Sequence, residues 1–187
     1  MNIGAKIDHP LFGLVEFLPK SEIGEYGELC TLQNTPFRGA MIPITLYYSE
    51  EALTSFSPDM LEPFTALIGR LDEFDAKART SVSTETRVQW LADRIDASSW
   101  ATHDLYDASS KRLEQLFPKV TLLTDVSEEQ FATALWLEKI GFSLNLPGSD
   151  GAALTMDYRI LPVELDNHLF AARFEPNGTL IGVRMES

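Results

Sequence analysis

Residues 57–78, Ser57 to Ala78, read SPDMLEPFTALIGRLDEFDAKA, and their spacing sets the fold class. Leu61, Phe64, Leu67, Ile68, Leu71, Phe74 and Ala78 recur at intervals of three and four, the period of one buried helix face. Ser57-Pro58-Asp59 is a start signal: a capping hydroxyl, a proline in the first turn, and an acid beside the positive end of the helix dipole. Pro63 interrupts the run. Either a separate turn precedes a helix from Pro63, or one helix kinks there.

More helices follow downstream. Ser83 or Thr84 is expected to cap a second, with Val88, Leu91 and Ile95 on its inner face. Thr102 is expected to cap a third, with Leu105, Tyr106, Ser109, Leu113, Leu116 and Phe117 inward and Pro118 ending it. Ser127 with Gln130 three residues later is a capping box. It opens a fourth helix, expected to run through Phe131, Ala134, Leu135 and Lys139 to near Gly141.

Strands flank this block on both sides. Upstream, Phe12 to Leu18, Gly27 to Gln33 and Gly39 to Tyr48 read as a three-stranded antiparallel meander, with turns at Gly24, Gly27 and Asn34-Thr35-Pro36. Ile42, Ile44, Leu46 and Tyr48 share one face of the longest strand. Pro43 lies inside that strand, which requires an edge or a bulge at that point. Downstream, Phe142 to Leu146, Ala153 to Tyr158, Leu169 to Phe174 and Thr179 to Met185 read as strands. Glu175-Pro176-Asn177-Gly178 is the strongest turn signal in the chain, because proline sets its entry and Asn-Gly tolerates positive φ. Strands and helices in separate blocks predict an α+β fold, with antiparallel strands at both ends packed on about four central helices. At 187 residues the chain is expected to be one domain, with sub-regions 1–49, 57–140 and 141–187. The pattern leaves open whether the two β blocks form one sheet or two.

Charge narrows the function classes. There are 15 Lys+Arg against 28 Asp+Glu, a net charge of −13. The acidity is dispersed: residues 1–97 carry 15 acids and 8 bases, and residues 98–187 carry 13 and 7. Nucleic acid and anionic membranes are poor partners for such a surface, and a basic protein is its electrostatic complement. Asp72, Glu73 and Asp75 follow the core-facing Leu71 and flank Phe74, so they are expected to project outward. With Glu50 and Glu51 after the long strand they form the candidate partner-binding surface. The single cysteine, Cys30, permits no internal disulfide and is expected to be a buried, inert thiol in a cytoplasmic protein. No signal peptide and no run near the ~20 apolar residues of a membrane span is seen.

Catalytic signatures are absent from the sequence. It contains no G-x-S-x-G elbow, no phosphate-binding loop and no dinucleotide fingerprint. His103, Asp104 and Asp107 are expected to serve the start of a helix rather than a metal. Asp166 and His168, in a turn-like triplet, have the residue types of an acid–imidazole dyad, but with no recognisable nucleophile beside them a loop contact is expected. Trp90, Trp100 and Trp136 are expected in the core. No catalytic residue, metal ligand or cofactor is therefore assigned.

Asp8-His9-Pro10-Leu11-Phe12-Gly13, the central helices, the closing strands from Leu154 through Phe174, Asn177-Gly178 and the terminal Glu186-Ser187 carry a likeness. With these features the chain resembles a group of small acidic bacterial proteins of unassigned function, some of which act as immunity proteins in polymorphic toxin systems. The resemblance implies a non-enzymatic binding protein, and it brings no catalytic residues with it. Two alternatives stand beside a protein–protein interaction domain. One is a hydrolase or metal-dependent enzyme using His103 or His168 with nearby carboxylates. The other is a regulatory domain with a small-ligand cleft.

Overall fold

The computed structural model describes residues 6–10, 12–16, 28–48, 57–97, 103–118, 120, 125–144 and 151–186. Among the described residues there are eight strands: β1 (Lys6–His9), β2 (Gly13–Glu16), β3 (Glu28–Phe37), β4 (Ala40–Tyr48), β5 (Trp136–Leu144), β6 (Leu154–Arg159), β7 (Leu169–Phe174) and β8 (Leu180–Glu186). A short 3-10 turn, Pro58–Leu61, precedes helices α1 (Glu62–Ile68), α2 (Leu71–Glu85), α3 (Arg87–Ala97), α4 (His103–Leu116) and α5 (Glu128–Ala134).

The two β blocks meet in one six-stranded sheet of order β3-β4-β5-β6-β7-β8, while β1 and β2 form a separate hairpin. Every pair in the large sheet is antiparallel except β4–β5. That parallel pair requires a crossover, and the whole helical block supplies it. The fold is mixed α and β, as the block pattern predicts. The meander expected upstream is corrected: β2 pairs with β1 and lies outside the large sheet.

Pro43 shows how the sheet accommodates a residue without an N–H. It pairs with Asn34 of β3, and β5 joins β4 only from Ile44 onward. At Pro43 the strand is therefore locally an edge. Ile42, Ile44, Leu46 and Tyr48 are all buried on one face, as expected. The turn expected at Asn34-Thr35-Pro36 is instead part of β3, and the chain reverses at Arg38-Gly39, both with positive φ (47° and 82°). Two consecutive positive φ values match the right-handed twist of the flanking strands.

The helices resolve the question posed by Pro63. The proline falls in the first turn of α1, where its missing N–H has no helical partner to lose. Leu61, Phe64, Leu67, Leu71, Phe74 and Ala78 are buried as the spacing predicts. Two expectations for the second helix need correction. Val88 is 67% exposed, while Trp90 is fully buried and Leu91 buried on α3. Ser83 and Thr84 are not caps, because α2 continues to Glu85; their hydroxyls donate to the Thr80 carbonyl inside it. The capping box at Ser127 forms on both sides, Gln130 N to Ser127 Oγ at 3.2 Å and Ser127 N to Gln130 Oε1 at 2.9 Å. Its helix ends at Ala134 rather than near Gly141, and Trp136 already opens β5.

Candidate functional site

α2 carries a buried charge centre, Asp75. Asp75 is fully buried, which corrects the expectation that it projects outward. Its position explains why. It lies four residues after Leu71 and three before Ala78, inside the same stripe that faces the sheet. A buried carboxylate needs charge and hydrogen bonds around it, and three elements supply them. Arg79, one turn on in α2, donates from Nε to both carboxylate oxygens (3.0 and 2.8 Å). The Tyr158 hydroxyl of β6 donates to Oδ1 at 2.8 Å. Arg38 of the β3–β4 turn places Nη1 2.8 Å from Oδ2. Burial and the adjacent carboxylate push the Tyr158 hydroxyl well above its ordinary pKa, so it stays a donor.

Arg79 also closes the end of α5. Its Nη1 donates to the carbonyls of Ala132 (2.9 Å) and Leu135 (2.5 Å), groups that a helix C-terminus leaves without partners. One carboxylate thus ties α2 to the sheet, to α5 and to the β3–β4 turn.

The other candidate acids separate according to their surroundings. Asp72 is 87% exposed at its side chain, with Arg38 Nε 3.7 Å away. Glu73 bridges Arg70 and Lys77, whose hydrogen bonds hold its carboxyl below the usual range. Glu50 and Glu51 lie outside the described residues. A cleft of about 630 Å³ opens beside Arg38 and Arg79, bounded by Thr80 and Ser83 of α2 and by Glu128 and Glu129 of α5. Sequence reasoning missed this junction. The available signal was an Asp–Arg pair at i, i+4 lying on an apolar stripe.

A second cluster joins α3 to the segment between β6 and β7. Asp166 is buried and accepts from Trp90 Nε1 (2.7 Å) and from the backbone N–H of His168 (3.1 Å). His168 Nδ1 is 2.5 Å from Asp166 Oδ1, and its Nε2 is 3.7 Å from Asp93 Oδ2. Arg159 Nη1 donates to the carbonyls of Asp166 and His168, while its Nε holds Glu138 at 2.6 Å. The acid–imidazole pair is therefore formed. Carboxylates face both ring nitrogens, which suits a tether between α3 and the sheet.

α4 begins at His103 as expected, but the side chains of His103, Asp104, Asp107 and Cys30 lie outside the described residues, and so does Trp100. Trp136 is 41% exposed, which corrects its assignment to the core: it pairs with Arg159 on the sheet face away from the helices. Among the described residues no group of three His, Cys, Asp or Glu is placed to hold a metal ion. No described helix is long and apolar enough to cross a membrane.

No protein family, curated protein or solved structure matches this chain. The functional reading therefore rests on its own geometry.

The face of the sheet away from the helices carries a titration that can be measured. Asp157 is buried beside Lys139 Nζ (3.5 Å). Burial pushes its carboxyl up to about 6 against the opposing pull of Lys139, with Glu186 and Glu138 adding to the rise. The unfolded value is near 3.8. Between these values the native state holds a proton that the unfolded state has released. Stability is therefore lost as pH rises through that window, by on the order of 2–3 kcal/mol once the pH is above both values. Asp157→Asn is expected to recover most of that loss at pH 8 and to leave stability unchanged below about pH 4. Urea unfolding of both proteins at the two pH values checks this, and an equal difference at both would contradict it.

Proposed function

We propose that this chain is a non-enzymatic interaction domain that docks a basic protein, as an immunity protein does when it neutralises a toxin. The observation that carries the reading is the mounting of its acidic helix. α2 presents Asp72 to solvent from a backbone fixed through buried Asp75 to the sheet, to α5 and to the β3–β4 turn. A charge held in place before binding loses little freedom on association. The net charge of −13 adds long-range attraction for a cationic partner.

The cations of α2 and of the β3–β4 turn are occupied by carboxylates of the same region. Arg70 and Lys77 neutralise Glu73, and Arg38 and Arg79 neutralise Asp75. Glu128, Glu129 and Asp125 are exposed at the start of α5 and form no ion pair with the described residues. Strand register places Lys139, Arg173 and Arg184 on the opposite face of the sheet.

The test is capture of the product of a neighbouring gene, at low and at high salt. Retention that falls steeply with salt is expected. Asp72→Lys combined with Glu73→Gln is expected to weaken binding about tenfold, mostly by slowing association. Binding indifferent to salt and to that variant, or no binding at low salt, would overturn the reading.

A further inference from the structure

The cleft beside Asp75 has a charge pattern that a polycation does not fit. Its volume, about 630 Å³, lies in the range of sites for small molecules. Arg38 and Arg79 enter its lining from the β3–β4 turn and α2, and Glu128 and Glu129 enter from the first turn of α5. Thr80 and Ser83 add hydroxyls, and Ala132 and Leu135 add apolar surface. A phosphate or other polyanion would meet two glutamates, and a run of lysines would meet two guanidiniums. A molecule with one charge of each sign meets a complement at both ends.

The guanidinium wall is organised in advance, with Asp75 between its two arginines and Asp72 3.7 Å from Arg38 Nε. Arg79 is held through Nε by Asp75 and through Nη1 by the Ala132 and Leu135 carbonyls. Arg38 is held through Nη1 by Asp75. Nη2 of each guanidinium makes no hydrogen bond with the described residues, so each keeps donors for a carboxylate. Side chains already fixed by other contacts lose little entropy when a ligand arrives.

We propose that this cleft binds a zwitterion of dipeptide size, its carboxylate received by Arg38 and Arg79 and its ammonium by Glu128 and Glu129. The site rests on the cleft and its two-signed lining. It shares Glu128 and Glu129 with the docking side proposed above, but its probes are small molecules and the partner test uses a protein, so either can fail without the other.

Alanyl-alanine, its N-acetyl form and its C-terminal amide are the probes, titrated into the full chain by calorimetry and scored for thermal shift. Alanyl-alanine is expected to bind with a millimolar or lower Kd and to raise the Tm, and blocking either end is expected to weaken binding about tenfold or more. Glu128→Gln with Glu129→Gln is expected to weaken alanyl-alanine about tenfold while leaving the N-acetyl form unchanged. Both glutamates are exposed, so an unaltered melting midpoint without ligand verifies that this variant folds. Absence of heat and of thermal shift with alanyl-alanine, or equal binding of the three probes, would overturn the proposal.

Discussion

Asp75→Ala is expected to destabilise the protein by about 3–5 kcal/mol, because it removes one side of a buried ion pair and leaves the other uncompensated. The corresponding fall in Tm is on the order of 10 °C for a chain of this size. Three groups lose their acceptor together. Arg79, mostly buried, loses two charge-assisted hydrogen bonds, Tyr158 loses the partner of a buried hydroxyl, and Arg38 loses its anchor. Two companion variants separate these contributions. Arg38→Gly removes only the half-exposed member and also relieves a non-glycine residue held at φ 47°, so its cost should stay below about 1 kcal/mol. Asp75→Leu with Arg79→Met removes both charges and should recover part of the loss, since neither ion then has to be desolvated. Recovery should be incomplete, because the Ala132 and Leu135 carbonyls at the end of α5 still lose their donor. Denaturant unfolding measures all three. A cost below about 1 kcal/mol for Asp75→Ala would mean that the carboxylate is solvated and that α2 is not anchored through it.

Elements specified by local chemistry were legible in the sequence. The Ser127–Gln130 box, the Glu175–Gly178 turn and the apolar face of Ile42, Ile44, Leu46 and Tyr48 each depend on residues close in the chain, and each formed as read. Where long-range pairing overrode a local pattern, the reading failed. Leu137 and Ile140 are three residues apart, which mimics a helix face. The ladder with β6 slips between Leu137 and Lys139, so Glu138 is an extra residue and both apolar side chains reach the same buried face of a strand. Hydrogen bonding to β4 on one side and β6 on the other then settles the conformation. Val88 against Trp90 is a similar case. Trp90 turns inward because Asp166, far along the chain, accepts its N–H. The charge centre was hidden for the same reason. Composition assigns an aspartate to the surface, and only the convergence of Arg38, Arg79 and Tyr158 from three elements allows Asp75 to be buried.

Gly178→Ala is expected to cost about 2–5 kcal/mol, and the cost has two separable parts. The first is conformational. Gly178 has φ 88° at the end of the β7–β8 turn, where its N–H donates to the Glu175 carbonyl (2.9 Å). Alanine there costs about 1 kcal/mol or more. The second is contact. A Cβ on Gly178 would lie 2.7 Å from Cε1 of Phe74 and 3.1 Å from Nη2 of Arg70. Phe74 is fully buried against Phe174, with ring centroids 5.1 Å apart, so it cannot withdraw cheaply. Gly39→Ala provides the reference for the first part alone. Gly39 has φ 82° but nothing within 4 Å of the added carbon, so only the backbone cost of about 1 kcal/mol applies. The difference between the two variants measures how firmly the hairpin tip is seated on α2, where Arg70 and Lys77 also donate to the Asn177 and Gly178 carbonyls. Thermal melts of both proteins provide that difference. Equal losses would show that the tip does not press on Phe74, and α2 would then be held to this end of the sheet by its charged contacts alone.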